Sequence, residues 1–143
     1  MSGLDKLFSG MRIASSSLKA ERTRIDVIAE NIANARTTRT ADGGPYRRKM
    51  VLFEPIFEKQ FGAPDRALGV RVKDIVRDEN TPFTRVHEPD HPDADEDGFV
   101  EYPNVNTVIE MADLVSAMRS YETSVAAQES FVRMAERALR LAQ

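Results

Sequence analysis

Asp93, Asp95, Asp97 and Gly98, inside the stretch HPDADEDGFVEYPN, have the spacing of a calcium-binding loop. Such a loop takes side-chain oxygens at positions 1, 3 and 5, glycine at 6, a backbone carbonyl at 7 and a bidentate glutamate at 12. Counted from Asp93, position 11 is Pro103 and position 12 is Asn104, whose amide is not a bidentate carboxylate. The flank HEPDHP, with Pro89 and Pro92, also denies the loop the helix that grips it from upstream. A calcium-responsive binding module on residues 93–104 is therefore the second reading, behind an acidic turn that carries no metal.

The other chemistry-bearing residues are fewer. His87 and His91 have the i, i+4 spacing of a helical metal pair, but Pro89 between them argues for two solvated loop histidines. No nucleophile, base and orienter recur at recognisable spacing, and no glycine-rich loop leads from a strand into a helix to cradle phosphate. ADGGPYRRK is basic with one aromatic, which reads as a turn entering a strand rather than as a nucleic-acid surface. With no cysteine, disulfides and thiolate zinc sites are excluded. The expectation is a protein that is not an enzyme, with no cofactor and no metal.

The elements that must position these residues are clearer. Leu4, Met11, Leu18, Ile25 and Ile32 recur every seven residues, interleaved with Leu7, Ala14, Glu21, Ile28 and Ala35. Met111, Met118, Val125, Val132 and Leu139 repeat in the same way, interleaved with Leu114, Tyr121, Gln128, Ala135 and Ala142. These are a and d columns of heptads, broken only by Glu21 and Gln128. They predict helices over 2–36 and 107–141, the first stopping near residues 36–40. A capping box of Thr107 and Glu110 opens the second, with Asn106 as the alternative cap. Phe8, Val27, Val115 and Phe131 are left beside the seams as surfaces that need partners.

Between the helices the pattern changes. Residues 46–53 end in the apolar run MVLF, closed by Pro55; Val70, Val72, Ile75 and Val76 read as a strand with an irregularity. Residues 83–86 and 99–102 are short strands, and 56–68 stay ambiguous. The fold class is α+β: two long terminal helices forming a coiled coil around a small β-rich insert. The divisions are an N-terminal helix (1–36), a loop and β-rich middle (37–106) and a C-terminal helix (107–143).

Charge is unevenly spread. Residues 1–52 carry 10 Lys/Arg against 5 Asp/Glu, and residues 53–103 carry 6 against 13, within a net charge of −3. A basic head beside an acidic middle suits head-to-tail association. No apolar run is long enough to span a bilayer, and the first residues, MSGLDKLFSG, lack the features of a cleaved secretory leader.

Four stretches, IDVIAENIANARTT (25–38), GGPYRRK (43–49), EPDHPDADEDGFVEYPNVN (88–106) and EMADLVSAMRSYE (110–122), resemble the flagellar basal-body rod proteins, most closely the short proximal-rod members. The resemblance implies a structural subunit exported by the flagellar type III apparatus without a cleaved signal peptide. It then polymerises in the periplasmic rod of the basal body and carries torque from motor to hook. The implied partners are copies of itself, other rod subunits, the adaptor between rod and MS ring, and the export apparatus, with no nucleic acid and no direct membrane insertion. The terminal helices form the assembly interface, so the a and d residues named above become contact residues. Asn31, Ile32, Ala33 and Asn34 end the first helix, Gly43, Gly44, Pro45 and Tyr46 form a family loop, and Pro103, Asn104, Val105 and Asn106 launch the second helix. Related sequences often carry asparagine three residues after Tyr121, where this chain has Ser124.

Overall fold

The computed structural model describes residues 3–58 and 66–141, with side chains described over 7–58 and 67–141. Leu4 and Ala142, two of the heptad residues, lie outside the described side chains. Six elements follow one another: α1 (Gly3–Ala33), β1 (Lys49–Glu58), β2 (Arg66–Arg77), β3 (Thr84–His87), β4 (Phe99–Tyr102) and α2 (Thr107–Leu141). The strands form two separate antiparallel pairs, β1–β2 and β3–β4, between the two long helices.

α1 stops at Ala33, three residues before the predicted limit. The Asn34 amide donates to the Glu30 carbonyl at 2.9 Å and accepts from the Thr37 hydroxyl at 3.1 Å, taking up groups that another helical turn would have used. The chain then turns through Gly43 and Gly44, whose φ values of +84° and +74° suit glycine and little else. That turn is closed by Thr40 N–H donating to Gly44 O and Tyr46 N–H donating to Thr37 O.

The β1–β2 ladder runs from Lys49↔Arg77 to Glu58↔Arg66, with register shifts at Leu52/Phe53 and Ile56/Phe57. The first shift leaves Lys73 unpaired, which is the irregularity expected between Val72 and Ile75. The expectation that Pro55 closes the strand is corrected: β1 continues three residues further, and Pro55 pairs with Val70. A two-stranded ribbon leaves one edge of each strand unpaired, so an outward-facing position there needs no N–H. The previously ambiguous residues 56–58 and 66–68 are strand.

The ribbon packs on α1, and α2 packs mainly on α1; among the described residues the α2 backbone does not come close to either strand pair. Gly69 shows how closely ribbon and helix approach. Its φ is +140°, and an added methyl would overlap Ser16 Oγ, which accepts from Val70 N–H at 3.1 Å and donates to Ile13 O at 2.8 Å. Gly69→Ala is expected to cost about 2–3 kcal/mol, from backbone strain and the lost hydrogen bond. The midpoint of urea unfolding followed by circular dichroism measures it.

Candidate assembly interface

The two helices meet along a column of small residues. Gly10 lies against the Phe131 ring, so closely that a methyl at Gly10 would overlap it. The hydroxyls of Ser17 and Ser124 are 3.0 Å apart, and the Asn31 amide donates to Glu110 Oε2 at 3.0 Å. Each step of seven or fourteen residues along α1 is matched by the same step back along α2, so the pair is antiparallel with a constant register. Because Ser124 gives its own proton to the Ser120 carbonyl at 3.0 Å, Ser17 is the donor between them. Ser124 thus serves the contact between the helices.

This seam uses a column beside the predicted one. Of the predicted d residues, Ala14 and Ile28 are buried and Leu7, Leu114 and Tyr121 are half-buried. The a residues of α1, Met11, Leu18, Ile25 and Ile32, are half-covered. On α2 the a column is largely open: Met111 is 55% exposed, Met118 47%, Val132 38% and Leu139 66%, with Val125 half-buried. Of the four side surfaces expected to need partners, Phe8 and Val115 are exposed, whereas Val27 is buried and Phe131 is covered by α1. The covering of those two inside the chain corrects that expectation.

At the head of the seam sits a buried polar node. Glu110, 1% exposed, accepts from Arg48 Nε at 2.6 Å on one oxygen and from Asn31 on the other. The predicted capping box is therefore corrected. Asn106 caps α2 by accepting from the N–H groups of Val108 and Ile109, while Glu110 turns inward to the Arg48 guanidinium. Asn31 completes a four-bond set: its amide also donates to Lys49 O, and its oxygen accepts from Lys49 N–H and the Tyr46 hydroxyl, all at 2.9 Å. One asparagine thus ties α1 to the start of β1, to the glycine loop and to α2.

Asn104 does the same work from the other end. Its oxygen accepts from Arg48 N–H at 2.8 Å, and its amide donates to the carbonyls of Asp78 and Thr81 at 3.0 Å. Asp78 in turn accepts from the Thr81 hydroxyl and from the Thr81 and Asn80 N–H groups. Those donors, the Thr81 hydroxyl first, hold its carboxyl below the ordinary value against the opposing effect of burial. Asn31 and Asn104 were legible as motif residues. Glu110 was not, because a charged residue in a first helical turn ordinarily reads as a cap, nor was Arg48, which reads as part of a basic turn entering a strand.

Tyr46 reports on the node. Burial pushes its hydroxyl up from 10.0 to about 12, reinforced by the charges of Glu30 and Glu110 and opposed by Arg77. The folded state favours the protonated phenol, so this contribution is complete below pH 10 and is lost as pH rises from 10 towards 12. Urea midpoints are expected to fall over that interval, and Tyr46→Phe is expected to flatten the fall.

The acidic stretch is a hairpin loop. Val100, fully buried, stands opposite Val86 in the β3–β4 pair, and the carboxylates of the loop between the strands take internal partners. Asp93 accepts from the Thr38 hydroxyl at 2.8 Å and pairs with Arg39. Asp95 accepts from the N–H groups of Phe99 and Asp97 and from Arg85 Nη2 at 2.7 Å. The Phe99 N–H above all holds the Asp95 carboxyl below its ordinary value. His87 meets the Phe99 ring edge at 5.0 Å, and His91 Nδ1 accepts from Asp93 N–H. Among the described residues no three His, Asp or Glu side chains converge to hold a metal ion, and no helix is long and apolar enough to cross a membrane.

The chain is thus built on an antiparallel pair of terminal helices, tied at its head by asparagines, with an apolar column of α2 left open. Residues 11–39 match the family described as "Flagella basal body rod protein", and residues 96–141 match "Flagellar basal body rod FlgEFG protein C-terminal". The chain belongs to the flagellar basal-body rod protein family. It is 43% identical to the flagellar basal-body rod protein FlgC of Borreliella burgdorferi, over 96% of this chain and 98% of that protein. It is 38% identical to FlgC of Bacillus subtilis, over 94% and 97%, and 39% identical to FlgC of Escherichia coli O6:H1, over 92% and 94%.

Proposed function

We propose that this chain is a structural subunit of the proximal rod of the bacterial flagellar basal body, without enzymatic activity. It is exported by the type III apparatus without a cleaved signal, polymerises in the periplasm through its terminal helices and carries torque towards the hook. Its neighbours are copies of itself, other rod subunits and the adaptor at the MS ring. The observation that supports this reading is the α2 column of Met111, Met118, Val132 and Leu139. An isolated domain does not benefit from heptad-spaced apolar residues that its own fold leaves uncovered. In a polymer, neighbouring helices cover them.

The test is deletion of the gene. The expected result is loss of swimming, with basal bodies that lack a complete rod by electron microscopy, both restored by the gene in trans. Complete rods in the deletion strain refute the proposal.

A further inference from the structure

A second surface complements the open α2 column. Between α1 and the β1–β2 ribbon runs a groove of about 540 Å³. Its floor is apolar, formed by Ala20, Ile56, Leu68, Val70 and Val72, and its rim is cationic, formed by Arg12, Lys19 and Arg71. Arg71 is paired with Glu54. No carboxylate among the described residues is recorded in an ion pair with Arg12 or Lys19, and both cations are exposed.

Arg12 and Lys19 stand seven residues apart on α1, about 10 Å along the helix. On α2, Glu122, Glu129 and Glu136 repeat at the same seven-residue step, all exposed, and flank the column of Met118, Val132 and Leu139. Glu129 has only a long contact to Arg133, at 3.6 Å, on its own helix. An apolar stripe edged by regularly spaced carboxylates therefore has the chemistry and the period of an apolar groove edged by regularly spaced cations. No residue of α2 lines the groove, so the stripe and the groove of one subunit are separate surfaces.

We infer that the groove between α1 and the ribbon receives the Glu122–Glu129–Glu136 face of α2 from a second copy of this chain. Such a contact is heterologous: one patch meets a different patch, each of the two subunits keeps its other patch free, and the arrangement propagates instead of closing as a dimer. The apolar column supplies burial, and the charge steps set the register, since carboxylates and cations fall out of step when the helix is displaced by half a heptad. The inference rests on the assembly reading above and adds which surface meets which.

Charge exchange tests it in cells. Arg12→Glu/Lys19→Glu and Glu122→Arg/Glu129→Arg/Glu136→Arg are each expected to abolish swimming and complete rods, and the five substitutions combined to restore both. Normal rods in either separate variant overturn the inference, as does failure of the combination to restore them. A cysteine series reads the contact independently of those variants, because the native chain has no cysteine. Lys19→Cys is paired in turn with Glu122→Cys, Glu129→Cys and Glu136→Cys, and isolated basal bodies are treated with a short bismaleimide. One pair is expected to give covalent dimers and larger multimers that no single-cysteine variant gives. Absence of multimers from all three pairs overturns the inference. If deletion of the gene removes the rod while these variants assemble normally, the inference alone has failed; complete rods after deletion remove the assembly reading itself.

Discussion

Glu110→Ala lowers the stability of the folded chain by about 3 kcal/mol, a large share of the 5–15 kcal/mol usual for a domain. Two groups lose their partner at once. The Arg48 guanidinium, 23% exposed, keeps only a distant contact with Asp113 at 3.8 Å, and the Asn31 amide loses one of its two acceptors inside the fold. A buried charge pair contributes little beyond a well-packed apolar replacement, but removing one member strands the other. Glu110→Gln should therefore cost less, because an amide oxygen still accepts from one of the two donors. Urea unfolding monitored by circular dichroism gives both values. An alanine variant within about 1 kcal/mol of the native chain shows that the node does not hold the helices together.

The same node marks where reading the sequence stopped. α2 was legible to the residue, because Pro103 and Asn106 punctuate its start and its heptads run without proline. β2 was legible from Val70 onward, with its irregularity, since Val70 and Val72 fall out of phase with Ile75 and Val76, but its first residues, within the ambiguous 56–68, were not. The face on which the helices meet was not. Gly10, Ser17, Ala117 and Ser124 make the close approach possible, yet small residues carry little hydropathy, so periodicity pointed to the larger a and d residues beside them. Those larger residues measure where apolar surface lies, not whether the same chain or another one covers it. The calcium spacing imitates a ligand set for a related reason. Asp93 and Asp95 have the residue types of ligands, but a one-dimensional pattern does not reveal that Thr38, Arg39, Arg85 and the Phe99 N–H already occupy their oxygens.

Met111→Glu/Met118→Glu/Val132→Glu is expected to separate folding from assembly. The three side chains are exposed in the isolated chain, so the purified variant should unfold within about 0.5 kcal/mol per site of the native protein. In cells the same variant is expected to be non-motile, because each carboxylate must be desolvated against an apolar neighbour when the helix is covered. Ala117→Glu is the contrast: that side chain is fully buried within the α1–α2 seam, and a carboxylate there should unfold the helix pair before assembly is reached. Loss of motility with retained stability in the first variant, and loss of both in the second, assigns the exposed column to neighbouring subunits and the small-residue column to the chain itself. If the triple variant instead loses stability to the same degree as Ala117→Glu, the a column belongs to the intramolecular core. The open face of α2 then has no bearing on how subunits stack.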